Sequence, residues 1–122
     1  MYKINFYKDT SGREPVREYL DKLAEKGDKQ SRVKLNKIRD YMKILSIHGT
    51  YAGEPYVKNV IGDIWELRPK NERILFFGWT GAQFIMLHSF VKKSNKTPQR
   101  EINQAKRNMH DFIKRSSDDE QK

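Results

Sequence analysis

Apolar side chains recur along this chain with two different periods, and the changes of period mark its elements. In residues 2–7 they alternate, with Tyr2, Ile4 and Phe6 on one face, as a half-buried strand requires. Asp9-Thr10-Ser11-Gly12 reads as a turn leading into a helix, and Pro15 is tolerated in a first helical turn, where no backbone donor is needed. Val16, Tyr19, Leu20 and Leu23 then recur at helical spacing and form one apolar stripe. Gly27 and Asp28 interrupt it. A longer helix follows to about Ser46, with Val33, Ile38, Tyr41, Met42 and Leu45 inward and Lys29, Arg32, Lys34, Lys37 and Lys43 outward. Joined by so short a loop, the two helices within residues 13–46 are expected to pair as a helical hairpin.

Residues 47–62 hold His48, Gly49, Gly53, Pro55 and Gly62 with little periodicity, so they read as a connecting loop with room for a short strand. Strand-like runs return at 63–68, 73–79 and 83–92, separated by Pro69-Lys70-Asn71-Glu72 and by a turn around Thr80-Gly81-Ala82. Connections this short join antiparallel neighbours, so residues 63–92 are expected to form a three-stranded meander after a strand within residues 1–8. Thr97 suits an N-cap and Pro98 the first position of a last helix over 98–115, whose inward face is Ile102, Ala105, Met109, Phe112 and Ile113. The polar residues 116–122 are expected to be a flexible tail. The expectation is one α+β domain over residues 1–122, in the order β-α-α-β-β-β-α, with a twisted antiparallel sheet.

Strand parity sorts the meander's side chains into two faces. A loop over 69–72 sets Arg68 opposite Arg73, Glu66 opposite Leu75 and Ile64 opposite Phe77. A two-residue second turn joins odd positions of one strand to even positions of the next, bringing Met86, His88 and Phe90 to the face of Arg73 and Leu75. One face then reads Trp65, Leu67, Ile74, Phe76, Ile85, Leu87 and Val91, where the helices should pack. The other reads Glu66, Arg68, Arg73, His88, Phe90 and Lys92, with Leu75, Phe77 and Met86 around them, a mixture that suggests a partly covered site.

Charge bears on what that site binds. The chain has 122 residues and a net charge of +9, which suits a polyanion such as nucleic acid. The first half interleaves both signs as a solvated surface does. From Arg68 to Arg107 the basic residues, Lys70, Lys92, Lys93 and Lys96 among them, meet only Glu72 and Glu101. There is no cysteine, which removes disulfides and thiolate chemistry. No stretch approaches the roughly 20 apolar residues of a membrane span, and the N-terminus lacks the apolar block of a signal peptide, so a cytoplasmic protein with no membrane partner is expected. His48 and His110 have no ligand spacing with other residues, and neither a metal nor another cofactor is expected.

RNA cleavage needs a base for the 2′-hydroxyl, charge at the phosphate and an acid for the departing 5′-oxygen. Arg68 and Arg73 can clamp a phosphate, with Lys70 and Lys96 adding charge nearby. His88, Lys92 and Lys93 are candidates for proton transfer, and Glu66 for base. Phe90 offers a surface on which a base can stack. Each residue also has a plain reading: a packed histidine, a cross-strand Glu66–arginine pair, an aromatic sealing the core, lysines that discourage edge pairing. Their convergence on the basic face favours function.

The ordered block Ile64-Trp65-Glu66-Leu67-Arg68-Pro69, Arg73-Ile74-Leu75-Phe76-Phe77, Leu87-His88-Ser89-Phe90-Val91-Lys92-Lys93, then Thr97-Pro98 with Glu101-Ile102 and Ala105, resembles the phage-derived Gp49-like or HigB-type branch of the RelE/ParE toxin superfamily. The resemblance implies a RelE-like fold and the toxin of a type II toxin–antitoxin module. It further implies a metal-independent endoribonuclease that cleaves translated mRNA on the ribosome, and a helix-turn-helix, HigA-like antitoxin as partner. By the same resemblance Arg73 matches a strand arginine of such toxins, and Phe90 with Lys92 or Lys93 their aromatic–basic strand end. Phe90 stands where several relatives carry tyrosine, which shifts proton transfer towards His88 or a lysine. The superfamily also contains gyrase inhibitors, so a gyrase poison and a non-catalytic nucleic-acid-binding phage accessory protein are the alternatives.

Overall fold

The turn after the first strand is built by Asp9, whose Oδ1 accepts from the backbone N–H groups of Ser11 and Arg13, each at 2.9 Å. That places Pro15 at the start of a helix, which ends at Gly27, left-handed at φ 67°. Asp28 caps the next helix by accepting from the backbone N–H of Ser31 at 2.8 Å. The computed structural model describes residues 1–120. In chain order they form β1 (Lys3–Phe6), α1 (Pro15–Lys26), α2 (Lys29–His48), a short 3-10 turn (Gly49–Ala52), β2 (Val57–Ile61), β3 (Ile64–Leu67), β4 (Glu72–Trp79), β5 (Gln83–Val91) and α3 (Gln99–Glu120).

The strands make one sheet in the order β1-β5-β4-β3-β2. It is mixed rather than wholly antiparallel, because β1 runs parallel to β5. A parallel pair needs a long crossover, here the helical hairpin and the rest of the sheet, so hairpin spacing does not reveal it. The aperiodic loop region contributes β2, which pairs antiparallel with β3 at the sheet edge. Only Val57 of that strand is buried, which is why alternation does not announce it. Three helices over a mixed sheet make an α+β architecture consistent with a RelE-like fold.

Parity survives in part. Glu66 does face Leu75, Ile64 faces Phe77, Leu75 faces His88 and Arg73 faces Phe90. Nearer the second turn the expectation fails. Three residues, not two, separate Trp79 from its partner Gln83, so Phe76 pairs with Met86 and Phe77 with Ile85. Gly81 and Ala82 both adopt positive φ to close this turn. A register shift between Leu75 and Phe76 then restores the odd-to-even pairing, Leu87 being the extra residue on β5. Two deviations therefore cancel for His88 and Phe90 but exchange the faces of Ile85, Met86 and Leu87.

The helical hairpin covers one face, where Val16, Leu23, Leu35, Ile38 and Leu45 pack on Leu67, Ile74, Phe76, Phe84 and Met86. The last helix does not join it there, contrary to the expectation that the helices share a face. On the opposite face α3 sets Ala105, Met109, Phe112 and Ile113 against Ile64, Leu75, Phe77, Ile85 and Leu87. Full burial of each such aliphatic or phenyl group contributes about 1.5–3 kcal/mol, so both faces are cores. Val33, expected inward, is 42% exposed. The buried stripe of α2 is Ser31, Leu35, Ile38 and Leu45, and Val33 lies two positions, about 200°, away from it.

Residues 116–120, expected to be part of a flexible tail, continue α3, while 121 and 122 lie outside the described residues. Just before them, Asp111 accepts from the Tyr7 hydroxyl at 2.6 Å and pairs with Arg115 at 2.6 Å. Arg115 also donates to the carbonyl of Lys8. These bonds anchor the last turns of α3 to the chain leaving β1.

Candidate functional site

The polar candidates gather at the end of the α3-covered sheet face where β3 stops, β5 exits and α3 begins. Glu66 on β3, Leu75 on β4 and His88 on β5 form one cross-strand row, and Arg73 with Phe90 the next. Glu66 is 5% exposed. Its Oε2 accepts from the Thr97 hydroxyl at 2.8 Å, and its Oε1 lies 3.3 Å from Arg68 Nε. That Nε has no aligned hydrogen-bond acceptor, so the contact is an ion pair only. Arg68 also donates from Nη1 to Glu54 at 3.0 Å, which holds its guanidinium between two carboxylates.

Arg73 is buried, and its Nη1 donates to the carbonyls of Lys70 at 2.7 Å and Glu72 at 2.8 Å. Burial pushes its pKa below the usual arginine value, opposed by the charge of Glu66. From that starting point it stays protonated at neutral pH. Its immediate effect is to brace the β3–β4 loop, in which Lys70 is left-handed at φ 52°. Lys70 itself is exposed.

His88 Nε2 lies 2.9 Å from Glu101 Oε1 on the first turn of α3, and its ring stacks on Phe90 with centroids 6.2 Å apart. Phe90 packs on the edge of the α3-side core. Lys92 is half-buried, and its backbone N–H donates to the Asn71 carbonyl at 2.7 Å, tying the exit of β5 to the β3–β4 loop. Lys93 and Lys96 are exposed on the segment that follows.

The structure thus joins Glu66, Arg68 and Arg73 in one group and His88 with Phe90 in another. Lys92, Lys93 and Lys96 follow on the segment leaving β5, whereas Lys70 is not brought to them: it lines a groove with Lys34 and Lys37 of α2. Sequence reasoning missed the clips from the 97–101 segment. Thr97 does not cap α3; the Pro98 carbonyl receives the N–H groups of Glu101 and Ile102, and the Thr97 hydroxyl is spent on Glu66. The sequence does carry a signal for Glu101: it precedes Ile102, the first inward residue of α3, and therefore flanks the stripe that meets the sheet. Glu54, in a loop far along the chain, has no such signal.

The hairpin side of the sheet has one buried carboxylate of its own. Glu72 Oε1 accepts from the Tyr19 hydroxyl at 2.8 Å, with Lys34 Nζ 3.6 Å away, while Oε2 has no partner. Among the described residues, no three His, Asp or Glu side chains are grouped to hold a metal ion, and no helix is long and apolar enough to cross a membrane.

Compared with known proteins, residues 18–110 match the family described as phage derived protein Gp49-like (DUF891). The matched span runs from α1 into α3 and includes every residue of the polar cluster. No curated protein matches the chain.

Proposed function

Because this chain belongs to the Gp49-like family of RelE/HigB-like toxins of toxin–antitoxin modules, we propose that it is a ribosome-dependent endoribonuclease that cleaves mRNA during translation. The observation that carries the reading is the convergence of Glu66, Arg68, Arg73, His88 and Phe90 at one end of the sheet, where Lys92, Lys93 and Lys96 follow on the segment leaving β5. Two arginines, a histidine and three lysines at one end of a sheet suit a polyanionic substrate.

In the proposed reaction, a 2′-oxygen attacks the adjacent phosphorus as its proton passes to a base, and the P–O5′ bond breaks as an acid protonates the leaving 5′-oxygen. The products are a 2′,3′-cyclic phosphate and a free 5′-hydroxyl. Arg68 and the lysines after β5 supply positive charge where the equatorial oxygens gain negative charge. Arg73 acts chiefly by setting the β3–β4 loop. His88, Lys92, Lys93 and Glu66 are the proton-transfer candidates, and Phe90 provides a stacking face beside them. A cognate antitoxin accompanies toxins of this family, and a HigA-like helix-turn-helix partner that covers these lysines would silence the chain.

Brief expression in a bacterium, followed by mapping of mRNA 5′ ends, tests this. New ends that vanish when translation is blocked, and that fall at least tenfold with Lys92→Ala plus Lys93→Ala, are expected. Intact mRNA with stalled chromosome replication would instead indicate gyrase inhibition. Normal growth and intact mRNA would leave neither toxin reading standing.

A further inference from the structure

Beside the polar cluster is an open cavity of about 190 Å³, lined by β2, Glu66 of β3 and the segment leading into α3. Lys58 on β2 stands opposite Glu66 on β3 in the strand register, and both line it. Lys96 and Asn95 also line it, and Val60 and Ile102 give it an apolar part. Among the described residues neither Lys58 nor Lys96 is in an ion pair. Two free cations, a fixed acceptor and an apolar patch in one small cavity are the complement of a nucleotide unit, not of a bare anion.

We propose that this cavity is a subsite for a single ribonucleotide of the RNA strand, with its phosphate on Lys58 and Lys96 and its ribose 2′-hydroxyl donating to Glu66. The inference rests on the endoribonuclease reading and deepens it. The division of labour follows from charge: a carboxylate repels a second phosphate but accepts from a hydroxyl, and the 2′-hydroxyl is the group that tells RNA from DNA. Glu66 is held for that task by Thr97 and Arg68, which leave further lone pairs on its oxygens. The apolar patch of Val60 and Ile102 receives the base without reading its edge, so little base preference is expected.

The test uses the intact chain and NMR titration with adenosine and cytidine 3′-monophosphates, their 2′-deoxy counterparts, and inorganic phosphate. Both ribonucleotides should shift the resonances of Val60, Lys96 and Ile102. The deoxy forms should bind about fivefold more weakly, and Lys58→Ala plus Lys96→Ala about tenfold more weakly, as loss of charge-assisted hydrogen bonds implies. No shifts at millimolar nucleotide, or equal binding by inorganic phosphate, would overturn the subsite. Glu66→Gln separates the roles further: the amide oxygen still accepts, so ribose selectivity should persist while loss of the negative charge tightens the hold on phosphate. Nucleotide binding without mRNA cleavage would leave the subsite standing and sink the enzyme. Cleavage without binding would do the reverse.

Discussion

The two faces of the sheet are built from the same strands yet finished differently. The hairpin face is closed by α1 and α2 and filled with apolar side chains, and its one buried carboxylate, Glu72, keeps an unpartnered oxygen. The α3 face is apolar only along the helix, and where the helix begins it turns polar, with Glu66 engaged by Thr97 and Arg68. The first face holds the molecule together. The second spends part of its area on groups that desolvation makes expensive, which is tolerable because Glu66, Arg73 and His88 have hydrogen-bond partners and Arg68, though its Nε has no aligned acceptor, lies between two carboxylates.

Substitutions on each face break this comparison if it is wrong. Phe76→Ala, at the centre of the hairpin-side core, should cost about 3–5 kcal/mol in urea unfolding. Tyr19→Phe removes a donor to Glu72 and leaves that carboxylate poorly partnered, a loss of about 1.5–3 kcal/mol by the same measurement.

On the α3 side the sharper probe is pH. Tyr7 is pushed up to about 12, first by burial and then by its hydrogen bond to Asp111. A raised folded pKa means that the contribution is whole below pH 10 and is lost as pH rises from 10 towards 12, on the order of 2 kcal/mol in all. Tyr7→Phe should flatten that alkaline decline. Asp111 moves the other way, held below its ordinary range by the Tyr7 hydrogen bond and then by Arg115. Its contribution is present above the ordinary carboxylate pKa and disappears as pH falls through the lowered one. Smallest of all, Lys92→Ala with Lys93→Ala should leave stability within about 0.5 kcal/mol, as for surface residues without built contacts, while removing activity.

Much of this architecture is legible in the sequence because burial imposes periods. The stripes of α1 and α3 and the facing of Glu66 and Leu75 follow from spacing alone. The rest depends on features that spacing does not encode. A third residue in the β4–β5 turn and the extra Leu87 each reverse parity, so Ile85, Met86 and Leu87 are misassigned while His88 and Phe90 come out on the right face. The parallel β1–β5 pairing and the edge strand β2 depend on long-range packing. At the site, the candidate residues do share one sheet end, but their partners Thr97, Glu101 and Glu54 come from segments that only the folded chain brings near.

The most direct measurement combines the purified chain, programmed ribosomes and a labelled mRNA, with naked mRNA as the control. The account predicts cleavage on the ribosome that leaves 2′,3′-cyclic phosphate ends, little cleavage of naked mRNA, and a loss of at least tenfold with Lys92→Ala plus Lys93→Ala. Intact mRNA on ribosomes that continue to translate in the presence of the folded chain would contradict it.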